Sequence, residues 1–476
     1  MSGTATGATA TTSSRLGPRL RAVLIVVLVA DVLDLLDSTI TTIAAPTIAR
    51  ELGGGESLVK WLGASYALAL GVLLVVGGRL GDRYGKRRMF LIGIAGFTLA
   101  SLAAGVSVDP SMLVVARLVQ GAFGALLIPQ GIGILLTALT REQLPTVFSV
   151  FGPVLGGASV LGPIVAGLLI SANLGGLTWR PMFLINIVLG VVGFVAAYRV
   201  LPADGEKSDV KIDGLGAGLI GLSMLGLIYG LIEGSTSGWG AVPISCLVVG
   251  AIAFVLFAVR QRLAANPLIL PSLLANRGFT SGLLLGLAFF AAVNGFTFVV
   301  SLFFQLDLGL SAMQAAFGLL PLVFGIIIAS FLARPLIPRL GRTLVVIGLV
   351  ITVLGAGGIL VTVLLAGDEA SAVSTIPALL IFGIGMGTCF SSIYDVAIGD
   401  VAKDEAGSAS GSLSAVQQLA AAIGSAVVTT VYFDQAAAHG GTQAVIASVL
   451  VVGAIAVLCL GLVWLLPRKA PAEEGF

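Results

Sequence analysis

Apolar runs of about twenty residues recur almost from end to end of the chain, and each is long enough to cross a ~30 Å hydrocarbon core as a helix. The sequence is 57% hydrophobic and 10% charged, with a mean hydropathy of +1.10. An average soluble domain carries about 25% charged residues, so no water-soluble fold could hide this apolar surface. Inside lipid each backbone polar group must be satisfied within its own segment, which leaves helices or closed barrels. Runs of this length predict an all-α polytopic membrane protein.

Breaks at charged or Pro/Gly-rich stretches place spans near 22–45, 58–78, 88–107, 112–138, 146–170, 181–201 and 214–234. The remainder gives 241–260, 278–304, 311–333, 343–366, 374–399, 406–432 and 443–466, fourteen in all. Lysine and arginine gather in cytoplasmic loops. With the N-terminus inside, 21 of the 25 fall on the inner side, among them Arg15, Arg19, Arg21 and the cluster from Arg79 to Arg88. Only Arg50, Lys60 and Arg180 lie outside, and Arg117 falls within a span. Both termini are therefore expected in the cytoplasm.

The charged stretch 202–213 follows the sixth span, and two spans then precede Pro267 and Pro271. The expected layout is a tail (1–21), a six-helix half (22–201), a linker (202–213), an inserted helix pair (214–260), a connection (261–277), a second six-helix half (278–466) and a tail (467–476). Two halves with a cargo site between them near the midplane is a common transporter plan.

A net charge of +2 gives no global field to attract nucleic acid or an acidic partner. Cys246, Cys389 and Cys459 each sit in an apolar run without metal-ligand spacing, so they read as packing residues and no cofactor or metal is expected. The first fourteen residues are small and polar, so the first run reads as a retained helix rather than a cleaved signal. Arginine exceeds lysine, and Ala, Gly and Val dominate, which suggests a GC-rich bacterial gene and a multi-pass protein of the cytoplasmic (inner) membrane. Small-residue pairs such as Gly383/Gly387 and Gly407/Gly411 should let helix backbones approach closely.

An ionisable side chain in a span costs ~2.5–3.5 kcal/mol on insertion scales and is a functional candidate by default. Asp31, Asp34 and Asp37 follow one another at spacing three in the first span, within about 120° of one helix face. At ~1.5 Å per residue they lie roughly 13, 18 and 22 Å deep. A carboxyl withdrawn from water beside another acid binds a proton more readily, which is the chemistry of proton exchange. Asp34 and Asp37 are the stronger candidates, and Asp31 reads equally as a structural pairing partner. Arg117 keeps its proton in any protein and is expected to bias the proton occupancy of a first-half aspartate. Asp395, beside Tyr394 in the twelfth span, is a candidate contact for cationic cargo. Trp61 and Tyr66 could stack on aromatic cargo, while Gln120, Asn294 and Gln305 offer neutral polar contacts. An intramembrane aspartyl protease would need two facing aspartates, and Asp395 with Asp400 lack both the spacing and the preceding glycine, which is Ala397. The chain is not expected to be an enzyme. His439, the single histidine, falls at an outer loop.

Gly78-Arg-Leu-Gly-Asp82-Arg83-Tyr-Gly85-Lys86-Arg87-Arg88 resembles the signature loop of the major facilitator superfamily. In that family the loop latches one conformation, which implies such a role for Gly78, Asp82, Arg83, Gly85 and Arg87. Arg117-x-x-Gln120-Gly121 is similar to the fourth-helix motif tied to proton transfer. Gly157 and Gly162-Pro163-Ile-Val-Ala166-Gly167 resemble the antiporter signature of exporters, with Ala158 and Ala166 in place of glycines. Leu36-Asp37-Ser-Thr39-Ile-Thr-Thr42-Ile-Ala-Ala-Pro46 resembles the first-helix motif of the fourteen-helix drug:proton antiporters, with Thr42 where asparagine is usual. The resemblance implies the major facilitator fold, arranged six, two and six, in a proton-coupled antiporter exporting lipophilic drugs, antibiotics or toxic metabolites. Implied partners are a small lipophilic molecule, protons and the bilayer, with the chain acting as a monomer. Residues 311–333 hold no acid, which disfavours divalent cations and leaves monovalent or neutral cargo. A facilitator-fold importer or a transport-inactive sensor is the alternative.

Overall fold

The structure, a computed structural model, describes residues 16–140, 143–204, 213–333, 335–366, 370–398, 401–402 and 405–467. Helix follows helix: α1 (Pro18–Leu52), α2 (Gly55–Tyr84), α3 (Lys86–Gly105), α4 (Pro110–Ala138), α5 (Leu144–Ala172) and α6 (Pro181–Val200). Then come α7 (Gly214–Ser237), α8 (Ala241–Leu263), the short α9 (Pro271–Ala275), α10 (Arg277–Leu302), α11 (Ala312–Gly318) and α12 (Leu320–Ala333). A turn, α13 (Ile337–Leu340), precedes α14 (Arg342–Ala366), α15 (Ile376–Ile398), α16 (Ala406–His439) and α17 (Gly441–Leu462). Among the described residues, eleven segments are long and apolar enough to cross a membrane. α1, with its three aspartates, and α5 are helices of 35 and 29 residues beside that set, and α15 contributes a shorter apolar stretch, Ile376–Phe390.

Local chemistry sets the ends. Gly85 alone separates α2 from α3, at a φ of 99° that L side chains rarely adopt. Asp109 accepts from the Met112 N–H at 2.9 Å and caps α4, whose first residue is Pro110. The predicted run 311–333 is broken at Leu319, and a reciprocal Ser311/Gln314 box starts its first piece. At the far end of α10 the helix widens into a π-turn over Phe303–Asp307, closed by Leu308 N–H donating to the Phe303 carbonyl at 3.0 Å.

The packing repeats itself. In one set α2 and α3 lie on α4, α1 lies on α5 and α6, and α3 lies on α6. In the other α12 and α14 lie on α15, α10 lies on α16 and α17, and α14 lies on α17. The sets meet where α2 packs on α16 and α5 packs on α12 and α15, while α7 lies against both α2 and α16. Thus α7, one helix of the expected inserted pair, touches both sets.

Small residues make these approaches possible. A Cβ on Gly383 would strike the Leu322 backbone, and one on Gly387 would meet Ile326 and Ala329, so both glycines of this pair seat α15 on α12. The three cysteines are free thiols, with Cys389 and Cys459 buried in the core.

α7 and α8 are stapled at the face expected to lie in the cytoplasm from the lysine and arginine asymmetry, the inner face. Arg260 grips Asp213 with both guanidinium arms, at 3.0 and 3.1 Å. Those hydrogen bonds hold the Asp213 carboxyl below the usual carboxylate range. A depressed carboxyl stabilises the fold above its unfolded value, about 3.9, and that stabilisation is lost as pH falls through the lower folded value. The wild-type protein in detergent is expected to melt above Asp213→Asn at neutral pH, with the two curves converging below about pH 4. Curves that stay equally separated across that range would contradict the pairing.

Candidate functional site

The three aspartates of α1 part company in space. Asp37 is 1% exposed, as is Arg117 of α4, which donates to Asp37 Oδ2 in a buried ion pair. Asn186 of α6 donates to Asp37 Oδ1 at 2.5 Å, and Arg117 also donates to Gln120 Oε1 at 2.7 Å. Gln120 in turn donates to the Ser101 hydroxyl at 2.7 Å. The guanidinium lies 4.6 Å from the Tyr66 ring centre and 5.8 Å from that of Phe183, so aromatic faces cover what hydrogen bonds do not. Asp37 and Arg117 thus compensate each other at a depth where neither could stand alone.

Asp34, one helical turn toward the inner face, has a different neighbour. The Tyr66 hydroxyl of α2 donates to Asp34 Oδ1, and the same ring lies under Arg117. Asp34 lines a cavity of about 510 Å³ between the two helix sets, with α1 and α2 on one wall and α10, α11, α12, α15 and α16 on the other. Asn294 and Gln305 line it too, as do Phe290, Phe390, Gln417 and Gln418. Among the described residues that line the cavity, Asp34 is the only titratable carboxyl.

Several expected roles change with these positions. Asp31 is partly buried, lies outside the cavity lining and accepts no hydrogen bond among the described residues. Gln120 is fully buried beside Arg117, bonded to it, and lies outside the cavity lining. Trp61 is 37% exposed and lies tilted against Tyr229, ring centres 6.3 Å apart, in a lateral groove of α2, α7 and α8, because α7 and α8 cover that face of α2. It does not reach the cavity. The side chains of Tyr394, Asp395, Thr42, Pro46, Pro163 and Gly167 lie outside the described residues, as does Asp400.

At the inner face the cavity is shut by α2 against α16. A Cβ on Gly78 would collide with the Gly407 carbonyl, and one on Gly411 would lie 2.8 Å from the Leu74 carbonyl. Asp82 accepts from the backbone N–H groups of Gly407 and Ser408 at 3.1 and 3.0 Å, and Lys86 sits 3.4 Å from the same carboxyl. A carboxylate on the first N–H groups of α16 is a charge-assisted cap across the seam. Arg79, 2% exposed, donates to the Pro267 carbonyl at 2.6 Å, Ser408 donates to the Leu268 carbonyl at 3.3 Å, and Ser410 to that of Pro129 at 2.9 Å. The connection after α8 is therefore pinned by both sets at once.

Two members of the expected latch do not cross the seam. Arg87 donates to the Tyr198 carbonyl at 2.5 Å and stacks on that ring, and its backbone N–H meets Asp204 at 2.8 Å. Asp204 caps α3, so Arg87 ties α3 to the end of α6. Arg83 lies 5.0 Å over the Tyr84 ring. In the expected antiporter signature, Gly162 is where α5 meets Thr39 of α1, so the contact lies within one helix set, whereas Gly157 faces open space. α5 nonetheless packs across the seam on α12 and α15 through other residues.

Sequence reading did not assign Asn186, Ser101, Arg79 or Asp204. The signals were an asparagine within an apolar span, an arginine at the end of another, and an acid in the charged stretch that follows the sixth.

A bundle of paired helix sets around a central cavity, latched at one face, is the architecture of a membrane transporter. The model of the Major Facilitator Superfamily matches residues 26–425, and the chain belongs to that family of transporters. It is 40% identical over 416 residues to a probable actinorhodin transporter of Streptomyces coelicolor, covering 86% of this chain and 72% of that protein. It is 31% identical to the tetracenomycin C resistance and export protein of Streptomyces glaucescens, over 83% of this chain and 72% of the relative. The crystal structure of the human organic anion transporter MFSD10 shares the fold, with a TM-score of 0.67 at 15% identity, over 94% of this chain and 100% of that one. The protein is a multi-pass component of a bacterial cytoplasmic membrane.

Proposed function

We propose that the protein is a proton-coupled antiporter exporting lipophilic antibiotics or related small molecules, with fourteen spans arranged six, two and six and both termini in the cytoplasm. The observation that carries this reading is Asp34, the one carboxyl among the described residues that line the cavity between the helix sets, bonded to Tyr66 and one turn from the buried Asp37–Arg117 pair. The functions named for the relatives, export and resistance, support the outward direction. Asp34 loads a proton when the cavity faces outward and releases it when cargo enters from inside. Tyr66 touches both Asp34 and Arg117, so the charge state of Asp34 is felt by the pair that holds α1, α4 and α6 together.

If one proton enters as one monovalent cation leaves, only the pH gradient drives export, at ~1.4 kcal/mol per unit. A second titrating acid would add one inward charge, at ~2.3 kcal/mol per 100 mV. Everted vesicles given cationic, neutral and acidic compounds test the reading. Accumulation of lipophilic compounds driven by an acid interior, and its collapse with a protonophore, is expected. Accumulation that ignores the protonophore would overturn it.

The latch makes a separate prediction. A side chain at Gly407 would meet Asp82 and the Gly78 carbonyl, so Gly407→Val should hold the inner face open. A cysteine introduced into the α2–α16 seam of that variant is expected to react with a polar thiol reagent at least tenfold faster than in an otherwise normal chain. Equal rates would show that this contact does not close the inner face.

A further inference from the structure

Asn294 sits on α10 facing the cavity, and its amide N–H donates to the Phe290 carbonyl one turn back at 2.8 Å. A carbonyl can only accept, so this bond fixes the amide with its nitrogen toward the helix and leaves Oδ1 for the cavity. Gln305 repeats the arrangement, donating to Ser301 Oγ at 2.9 Å and to the Ser301 carbonyl at 3.3 Å. Gln305 lies in the π-turn over Phe303–Asp307 and is the one residue of that turn that lines the cavity. Among the described residues no donor meets either amide oxygen. On the opposite wall Asp34 is also an acceptor, and the Tyr66 hydroxyl spends its proton on it. Between these walls the Phe290 and Phe390 rings, 5.8 Å apart and at 81°, present an edge and a face.

Resting on the export reading above, we propose that this cavity selects planar aromatic molecules bearing hydrogen-bond donors, phenolic hydroxyl or N–H groups, with Asn294 and Gln305 as the residues that read them. A cavity of about 510 Å³ is of drug-sized volume. Both oxygens line the cavity without a protein donor among the described residues, Asn294 half-buried and Gln305 exposed, so cargo that brings donors gains bonds there that cargo of the same shape without them forgoes. A permanent cation with no N–H group leaves both amide oxygens without a donor.

The test uses three probes on the purified full-length protein: anthraflavic acid, a planar quinone with two free phenols, its dimethyl ether, and tetraphenylphosphonium. Binding is read by fluorescence titration in detergent, and transport in proteoliposomes under an acid-inside gradient. Wild type is expected to bind the diphenol about tenfold more tightly than the ether. Asn294→Leu and Gln305→Met are each expected to narrow that ratio to about threefold or less, with unliganded melting curves checking that both fold. Equal binding of diphenol and ether, a ratio unmoved in both variants, or preferred binding of tetraphenylphosphonium would overturn the selection. Selective binding without gradient-driven movement would overturn the export reading and leave the selection standing. Should both variants fail to fold, the wild-type diphenol-to-ether ratio decides alone.

Discussion

Asp34→Asn is expected to abolish uphill export while sparing downhill exchange. Under a pH gradient of two units and no voltage, one proton per cargo molecule can sustain about a 100-fold accumulation, since each unit is worth ~1.4 kcal/mol. Asparagine keeps the size of Asp34 and can still accept from Tyr66, so the cavity and its closure survive. What it lacks is a group that takes and gives a proton. Accumulation in proteoliposomes should fall to about onefold, while counterflow of labelled against unlabelled cargo continues. Retained accumulation in this variant would move the coupling site elsewhere.

Asp37→Asn is expected to act first on stability. Sequence alone suggests that both substitutions would abolish pH-driven efflux and leave folding intact. The structure distinguishes them. Asp37 and Arg117 are each 1% exposed, and removing one partner leaves a charged guanidinium buried without its counter-charge. Breaking such a pair costs about 3–5 kcal/mol. Gln120 and the Tyr66 and Phe183 rings soften but do not replace the lost carboxylate. The variant should melt well below wild type in detergent, and Asp37→Asn combined with Arg117→Met should recover much of the loss. A double variant no more stable than the single one would show that the pair is not what the fold depends on.

Much of this architecture was legible in the chain. Apolar run lengths announce the helices, and fixed glycine spacing announces where backbones touch, as at Gly383/Gly387 and at Gly78, where α2 meets Gly407. Arg117 is too costly to bury unpaired, so a first-half aspartate was its natural partner, and Asp37 is that partner. Periodicity, however, assigns a face and not a neighbour. Three aspartates on one stripe end in three environments because α2, α4 and α6 cross α1 at different heights. Trp61 reads as a cavity aromatic until α7 packs over that face of α2, a contact between segments far apart in sequence. Asp82 was expected to latch something, but its target, the first N–H groups of α16, lies more than 300 residues away. The π-turn that carries Gln305 leaves no mark in hydropathy at all.

The most direct measurement records proton and cargo movement together. Purified protein is reconstituted in proteoliposomes with a pH dye inside, and a transported cargo is added against an acid interior. Cargo entry is expected to alkalinise the lumen in fixed proportion, with proton release lost in Asp34→Asn although counterflow persists. Cargo entry with no opposing proton flux, or with protons moving in the same direction, would contradict a proton-coupled exporter.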